Sequence, residues 1–488
     1  MNLHLFEIFE DNLEYIKKVF SGCDDVVFKE FNAANNQCFI VYTDNIVDGA
    51  AIEEMILTNL MFRFQGGNGD AVEKKGIAIG EVKESDKMQD VLDAVLLGDT
   101  AVFVSGYAKA FIASTKGWPS RGVPKADTEM TVYGPKDAFG EVGSINTVLI
   151  RRRIRDTSLK VKRMKCGRRS KTDIAVVYID GIARKNVLDD VLAKLESIDV
   201  DMIIDSGYLQ QFIEGSSKSP FPQIQLTERP DKVAASLYEG RIAVVVDNSP
   251  FVLIIPAVLN VFFQAAEDYY QRWEISSFLR LLRYSAGIIA AVLPGFYVAL
   301  TVFQPNMIPT SLALKIAAGR GNVPFPTIIE VLIMELSFEL LREAGVRLPS
   351  PVSSAIGIVG GIIIGQAAVE AGIVGPSVVI MVALSGICSF VVPNTAMVSS
   401  IRVIKYFVLA LSSVMGIFGF WMAVVFVLAH LCRLKSFGFP YMYPFCSGSE
   451  NGSSDFKDSI IRLPIFMMKK RPIFADATEE IRMKGRGR

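Results

Sequence analysis

Histidine is nearly absent from this 488-residue chain. The 2 present, His4 and His430, are too few and too far apart for a histidine-based metal site. Cysteine is scarce as well. The 6 residues, Cys23, Cys38, Cys166, Cys388, Cys432 and Cys446, form no CxxC or other ligand spacing, and free thiols are expected. Net charge is missing: 51 basic side chains balance 51 acidic ones, so no global field argues for nucleic acid. A phosphate loop is missing too, because the glycine-rich QGGNGD at 65–70 is not followed by Gly-Lys-Ser/Thr. No nucleophile–base pair or metal cluster stands out. The N-terminal stretch MNLHLFEIFEDNLEYIKKVF sets Glu and Asp among its apolar positions, unlike a signal peptide. A non-enzyme is expected, without cofactor or metal, with its front half in the cytoplasm.

Apolar side chains make up 51% of the chain and concentrate after Phe251. The expected fold is an α/β cytoplasmic region of two small subdomains followed by an α-helical multipass membrane domain. Residues 1–145 read as the first subdomain and 172–249 as the second. An amphipathic helix is expected over 1–20, strands at 26–32 and 37–43, helices over 46–64 and 86–97, and a hairpin at 100–106 and 108–115. In the second subdomain, 173–180, 200–207 and 241–247 read as strands and 185–197 and 207–214 as helices. Thr227 is placed to cap a helix starting at Pro230.

Between the subdomains, residues 146–171 read as a basic connector. In RRRIRDTSLKVKRMKCGRRSK (151–171), 11 side chains are Lys or Arg, beginning with Arg151, Arg152, Arg153 and Arg155. No aromatic residue interleaves them, so base stacking has no platform. Contact with anionic lipid headgroups or another subunit is one reading, and a solvated linker the other.

The multipass region is expected at 250–432 and a polar tail at 433–488. The short apolar segment 251–263 contains Pro256 and reads as re-entrant or interfacial. Residues 267–283 read as an amphipathic interfacial helix, 284–303 as a span, 308–318 as a surface helix, and 406–431 as the last span. The apolar stretch 327–341 carries Glu330, Glu335 and Glu339. Carboxylates there line a polar cavity or pair with arginines, and Arg342 and Arg347 are the near candidates.

Residues 352–375, VSSAIGIVGGIIIGQAAVEAGIVG, are long enough to cross a bilayer, which takes about 20 residues. Gly357, Gly361 and Gly365 share one helical face suited to close packing. The opposite face carries Val359, Ile363, Gln366 and Glu370. A packed bundle helix and a helix lining a conduction path both fit.

Several stretches resemble the A-subunit family of bacterial spore germinant receptors, the GerA type. They include NTVLIRRRIRDTSLK, YIDGIARKNVLDDV, PFPQIQLTERPDKVAASLYEGRIAVVVDNSPFVLIIP, EDYYQRW, VPFPTIIEVLIMELSFELLREAG, IVGGIIIGQAAVEAGIVGPSVVI and DFKDSIIRLPIFMMKKRP. The resemblance implies a multipass protein of the inner spore membrane, pairing with a transporter-like B subunit and a lipoprotein C subunit. It implies a homo-oligomeric, pentameric ring acting as a nutrient-gated ion channel, or else the accessory channel paralogue that does not sense nutrient. In such a ring Val359 and Ile363 suit a hydrophobic gate and Gln366 and Glu370 its mouth. A secondary transporter and a membrane scaffold are the competing classes.

Overall fold

The computed structural model describes residues 4–33, 36–63, 76–117, 124–347, 365–446, 456–476 and 480–483. The chain divides into two compact units: 1–215, 224–256 and 465–488 form the first, 216–223 and 257–464 the second.

The first unit holds two five-stranded antiparallel sheets. Strands β1 (Val26–Ala33), β2 (Asn36–Thr43), β3 (Val82–Ser85), β4 (Thr100–Val104) and β5 (Ala110–Ala113) pair in the order β1-β2-β4-β5-β3. Both faces of this sheet are covered, which explains the unbroken apolar runs Cys38–Val41 in β2 and Ala101–Val104 in β4. Cys38 and Ile40 face helix α2, which opens with Gly49–Ala51 and continues in π turns over Ile52–Leu57 and Asn59–Arg63. Phe39 and Val41 face α1 (Phe9–Val19) and α3 (Met88–Leu96).

The second sheet consists of β6 (Leu159–Cys166), β7 (Thr172–Ile179), β8 (Gln225–Thr227), β9 (Ile242–Val246) and β10 (Val252–Ile255), in the order β6-β7-β9-β10-β8. Its helices are α4 (Gly143–Arg151), α5 (Lys185–Glu196), α6 (Ser206–Ile213) and α7 (Pro230–Tyr238). The strand order repeats that of the first sheet, so the unit is a duplicated topology. Equivalent turns carry equivalent residues: Tyr42-x-Asp44-x-Ile46 matches Tyr178-x-Asp180-x-Ile182, and Gly98-x-x-Ala101-Val102 matches Gly240-x-x-Ala243-Val244. Gly98 and Gly240 both take positive φ, at 89° and 88°, a conformation that favours glycine.

Four expectations fail here. Residues 146–171 are not a connector: they end α4 and supply β6, paired along its whole length with β7. Arg163 and Lys165 stand exposed on this edge strand, and charged side chains there discourage pairing with another chain, while Lys160 is buried and donates to Val19 O at 2.8 Å. The 251–263 stretch is not one inserted segment: Val252–Ile255 is a fully buried strand between β9 and β8, and Leu259–Phe263 is a 3-10 turn of the second unit. No strand forms at 200–205, where the chain runs irregularly into α6. Thr227 does not cap α7: it ends β8, and the cap position is Arg229, whose guanidinium binds Asp231 and the backbone of Glu129 and Pro135 instead of capping the helix.

The second unit is built on helices. α8 (Trp273–Val298) continues in π turns through Ala299–Phe303, joining what reads in sequence as an interfacial helix and a span. Then come α9 (Thr310–Gly319), α10 (Thr327–Arg347), a short helical stretch at 365–370, α11 (Pro376–Val391) and α12 (Thr395–Arg433), whose helical path breaks at Gly416. Gly287 abuts the Phe263 ring, and Gly295 abuts Val408 and Ser412 of α12, so α8 and α12 approach closely. Trp273–Phe303 and Thr395–Arg433, at 31 and 39 residues, are long and apolar enough to cross a membrane. At about 1.5 Å per residue each exceeds the roughly 30 Å hydrocarbon layer. Phe278, Ile288, Val414, Phe418 and Trp421 stand exposed along them. The tail is divided: 433–464 belongs to this unit and 465–488 to the first.

Candidate functional site: a carboxylate helix and its partners

α10 begins just after Pro326 and carries its three membrane-region carboxylates inward. Glu330 is 0% exposed. It accepts a 2.9 Å hydrogen bond from Arg320 Nε and a 2.7 Å bond from the backbone N–H of Gly375. Glu335 Oε2 accepts from Lys405 Nζ at 2.5 Å, while its Oε1 is buried without a partner. Glu339 pairs with Arg402, whose Nη2 also donates to Ser399 Oγ at 2.8 Å. The partners are thus Arg320, Lys405 and Arg402. Arg342 lies over the Phe390 ring at 5.1 Å, and Arg347 pairs with the exposed Glu343. A buried carboxylate takes the cation that packing brings against it, and here α12 supplies two of the three. Arg402 and Lys405 both lie within α12, which begins 11 residues before the span expected at 406–431.

Glu330 also fixes the end of the 365–375 segment, because its second oxygen holds Gly375. In that segment Gly365 is buried, and a Cβ there would sit 3.3 Å from Val379 Cγ1. Ala368 and Val369 pack into the cluster of Val331, Met334, Val374 and Val378. Gln366 and Glu370 are exposed, joined by a 2.9 Å bond from Gln366 Nε2 to Glu370 Oε1. At the described end of the segment, Gly365 is thus turned inward and Gln366 and Glu370 outward. Val359, Ile363, Gly357 and Gly361 lie outside the described residues.

The basic run is structural where it is buried. Arg151, 1% exposed, grips Asp25 with Nε and with Nη2, the latter at 2.7 Å. Arg153 donates to both oxygens of Asp137, at 2.7 and 2.6 Å. Arg151 is thereby withheld from any headgroup, since a buried guanidinium keeps its carboxylate. Arg152 and Arg155 are exposed.

A second ion-pair cluster escaped the sequence reading. Arg280, fully buried in α8, donates Nε to Asp268 at 2.9 Å and Nη1 to Asp458 at 2.6 Å. Arg283 donates to both oxygens of Asp268, at 2.7 and 2.8 Å. Arg280 and Arg462 lie over the Tyr269 ring at 5.4 and 5.6 Å. The charges at 280 and 283 that suggested an interfacial helix are neutralised inside the unit. The signal lay in EDYYQRW and DFKDSIIRLP, which hold Asp268, Tyr269, Asp458 and Arg462, but their separation in sequence hid the pairing. Among the described residues no group of three or more His, Cys, Asp or Glu could hold a metal ion.

The class is thus a two-unit one: a duplicated α/β unit, and a helical unit that holds two helices long and apolar enough to cross a membrane and a helix, α10, whose carboxylates are neutralised by Arg320, Arg402 and Lys405. The chain belongs to the GerA family of spore germinant receptor A subunits: the Bacillus/Clostridium GerA spore germination protein family matches residues 14–474. It is 41% identical over 477 residues to spore germination protein KA of Bacillus subtilis (strain 168), covering 96% of this chain and 87% of that one. It is 40% identical over 467 residues to the uncharacterized membrane protein YfkQ of the same strain, covering 95% and 90%. The crystal structure of the N-terminal domain of the A subunit of the Bacillus megaterium spore germinant receptor GerK3 is 33% identical, covering 53% of this chain and 98% of that one, with a TM-score of 0.41.

Proposed function

We propose that this chain is the multipass membrane subunit of a spore germinant receptor, a nutrient-gated channel that releases cations at the start of germination. Copies assemble as a ring, a pentamer, around segment 352–375, with the α/β unit in the cytoplasm and B and C subunits as partners. One contrast carries the reading: Glu330, Glu335 and Glu339 are neutralised within the chain, whereas Gln366 and Glu370 face outward from a helix whose Gly365 face is packed. A carboxylate left outward on such a helix is costly against lipid and stable against water at an axis. Five copies of Glu370 around an axis favour cations, and rings of Val359 and Ile363 close the path by dewetting. Potassium efflux from vesicles holding the full-length chain tests this. Val359→Ala is expected to raise the basal leak, and Glu370→Gln to weaken the preference for cations over anions. Fluxes and ion preferences identical to wild type in both variants overturn the assignment.

A further inference from the structure

The end of α12 and the tail that follows it carry a thiol pair unused by anything above. Cys432 lies in the last turn of α12, and Cys446 follows the hairpin of β11 (Lys435–Ser436) and β12 (Phe439–Pro440). Their sulfurs are 3.5 Å apart and both residues are exposed, whereas Cys23, Cys38, Cys166 and Cys388 are buried. The approach is built by the backbone. Leu434 N–H donates to His430 O at 3.0 Å, Tyr441 N–H to Leu434 O at 2.9 Å, and Cys446 N–H to Met442 O at 3.2 Å. Tyr441 and Tyr443 are buried and seat the returning strand. Exposed Arg433 and Lys435 flank the first thiol and mark a polar setting.

We propose that Cys432 and Cys446 form an oxidisable site, a dithiol that hydroperoxides convert to an intramolecular disulfide. The thiolate of one cysteine attacks a peroxide oxygen; an S–O bond forms, the O–O bond breaks, and the departing hydroxide takes up a proton as water. The second thiolate then attacks the sulfenic sulfur, forming S–S and breaking S–O, with release of another water. Two thiols give up two electrons and two protons, and hydrogen peroxide receives them. A disulfide at about 2.05 Å asks the sulfurs to close by roughly 1.5 Å, within reach of side-chain rotation. The bond would tie the β11–β12 hairpin covalently to the end of α12.

The test uses the full-length protein in mild detergent with hydrogen peroxide as oxidant. Two of the six thiols are expected to become unreactive to maleimide after denaturation. A peptide joining Cys432 to Cys446 should appear in mass spectra, and dithiothreitol should restore both thiols. Cys446→Ser should remove the cross-link and let dimedone trap a sulfenic acid at Cys432. Cys432→Ser should remove it equally. All six thiols remaining free after peroxide, or disulfides found only between copies or with the buried cysteines, overturns the proposal. Unchanged elution of both variants on size exclusion confirms that a lost cross-link is not lost folding.

Discussion

Lys405→Met isolates one buried charge. Lys405 Nζ is 2.5 Å from Glu335 Oε2, and the two side chains are 7% and 1% exposed. Methionine keeps most of the aliphatic stem, so little packing is lost. What remains is a buried Glu335 without a counter-charge, one turn from Glu339. Breaking a buried pair by removing one partner costs about 3–5 kcal/mol, because the survivor stays desolvated. That corresponds to roughly two to four orders of magnitude in an unfolding equilibrium. Chemical unfolding of the full-length protein in mild detergent reads it, with Arg347→Met as the reference. The Arg347–Glu343 pair is 77% and 61% exposed, so its loss should cost less than about 1 kcal/mol. Adding Glu335→Leu to Lys405→Met should recover most of the loss, since an apolar pair of similar volume often replaces a buried ion pair without penalty. Two results refute the reasoning: a single variant as stable as the Arg347 reference, or a double variant no more stable than Lys405→Met.

Gly240→Ala should destabilise the first unit by about 1–3 kcal/mol, because the added Cβ would lie 2.5 Å from Ala475 Cα at a φ of 88°; tail residues 470–476 should also become more sensitive to protease, and an unchanged cleavage rate counts against the contact. Asp205 caps α6 by accepting from Gly207 N–H at 2.9 Å and receives the Ser249 hydroxyl at 2.5 Å. Burial alone would raise its pKa, but these hydrogen bonds outweigh it and hold the carboxyl below its ordinary value. A depressed folded-state pKa stabilises at pH values above the ordinary carboxylate range and loses that contribution as pH falls through the folded value. Asp205→Ala should therefore cost about 1 kcal/mol at neutral pH, with the gap to wild type narrowing in acid; a gap constant from pH 7 into that range refutes it. Gly365→Leu should destabilise the second unit by about 1–3 kcal/mol, since Val379 Cγ1 stands 3.3 Å from even the first added carbon, and Gly365→Ala should cost less. Equal melting temperatures for both variants would remove Gly365 from the packing face.

Where one local pattern had one physical solution, the sequence was legible. The strands read at 26–32, 37–43 and 173–180 and the helices read at 86–97 and 185–197 fall within a few residues of β1, β2, β7, α3 and α5. The pattern had two solutions at 251–263. A short continuous apolar run composes a fully buried strand and a membrane-inserted segment alike, and only the pairing of β10 with β8 and β9 decides between them. Charge misled in a related way. Arg280 and Arg283 suggested a helix lying at an interface, but Asp268 and Asp458 remove their charge from the surface account. The carboxylates of α10 were found as a group, and their true partners were not. Lys405 is 70 positions from Glu335 and Arg402 is 63 from Glu339, separations that helical periodicity does not reach.

The duplicated sheets explain why the chain's end returns to the α/β unit. In the first sheet the segment after β5 doubles back, and Lys116 bridges to Val47, beside the Asp44–Ile46 turn. The chain after β10 has no such freedom, because it leaves for the helical unit at Ala257. The equivalent position in the second sheet, at Ala183 beside the Asp180–Ile182 turn, is bridged instead by Ala475. Asp476 N–H donates to Ile182 O at 2.7 Å and Arg184 Nε to Ala475 O at 3.0 Å, while Arg241 lies over the Phe474 ring at 4.5 Å. Gly240 matches Gly98 in position and in φ, but its bare backbone admits the tail where Gly98 admits Ile46. The second copy of the motif is thus completed from more than 200 residues downstream, later in sequence than both described helices long and apolar enough to cross a membrane. The same polypeptide passes through Asp458, which holds Arg280 of α8, before it reaches Gly240. One stretch of tail therefore takes part in the buried charge network of the helical unit and in the core of the α/β unit.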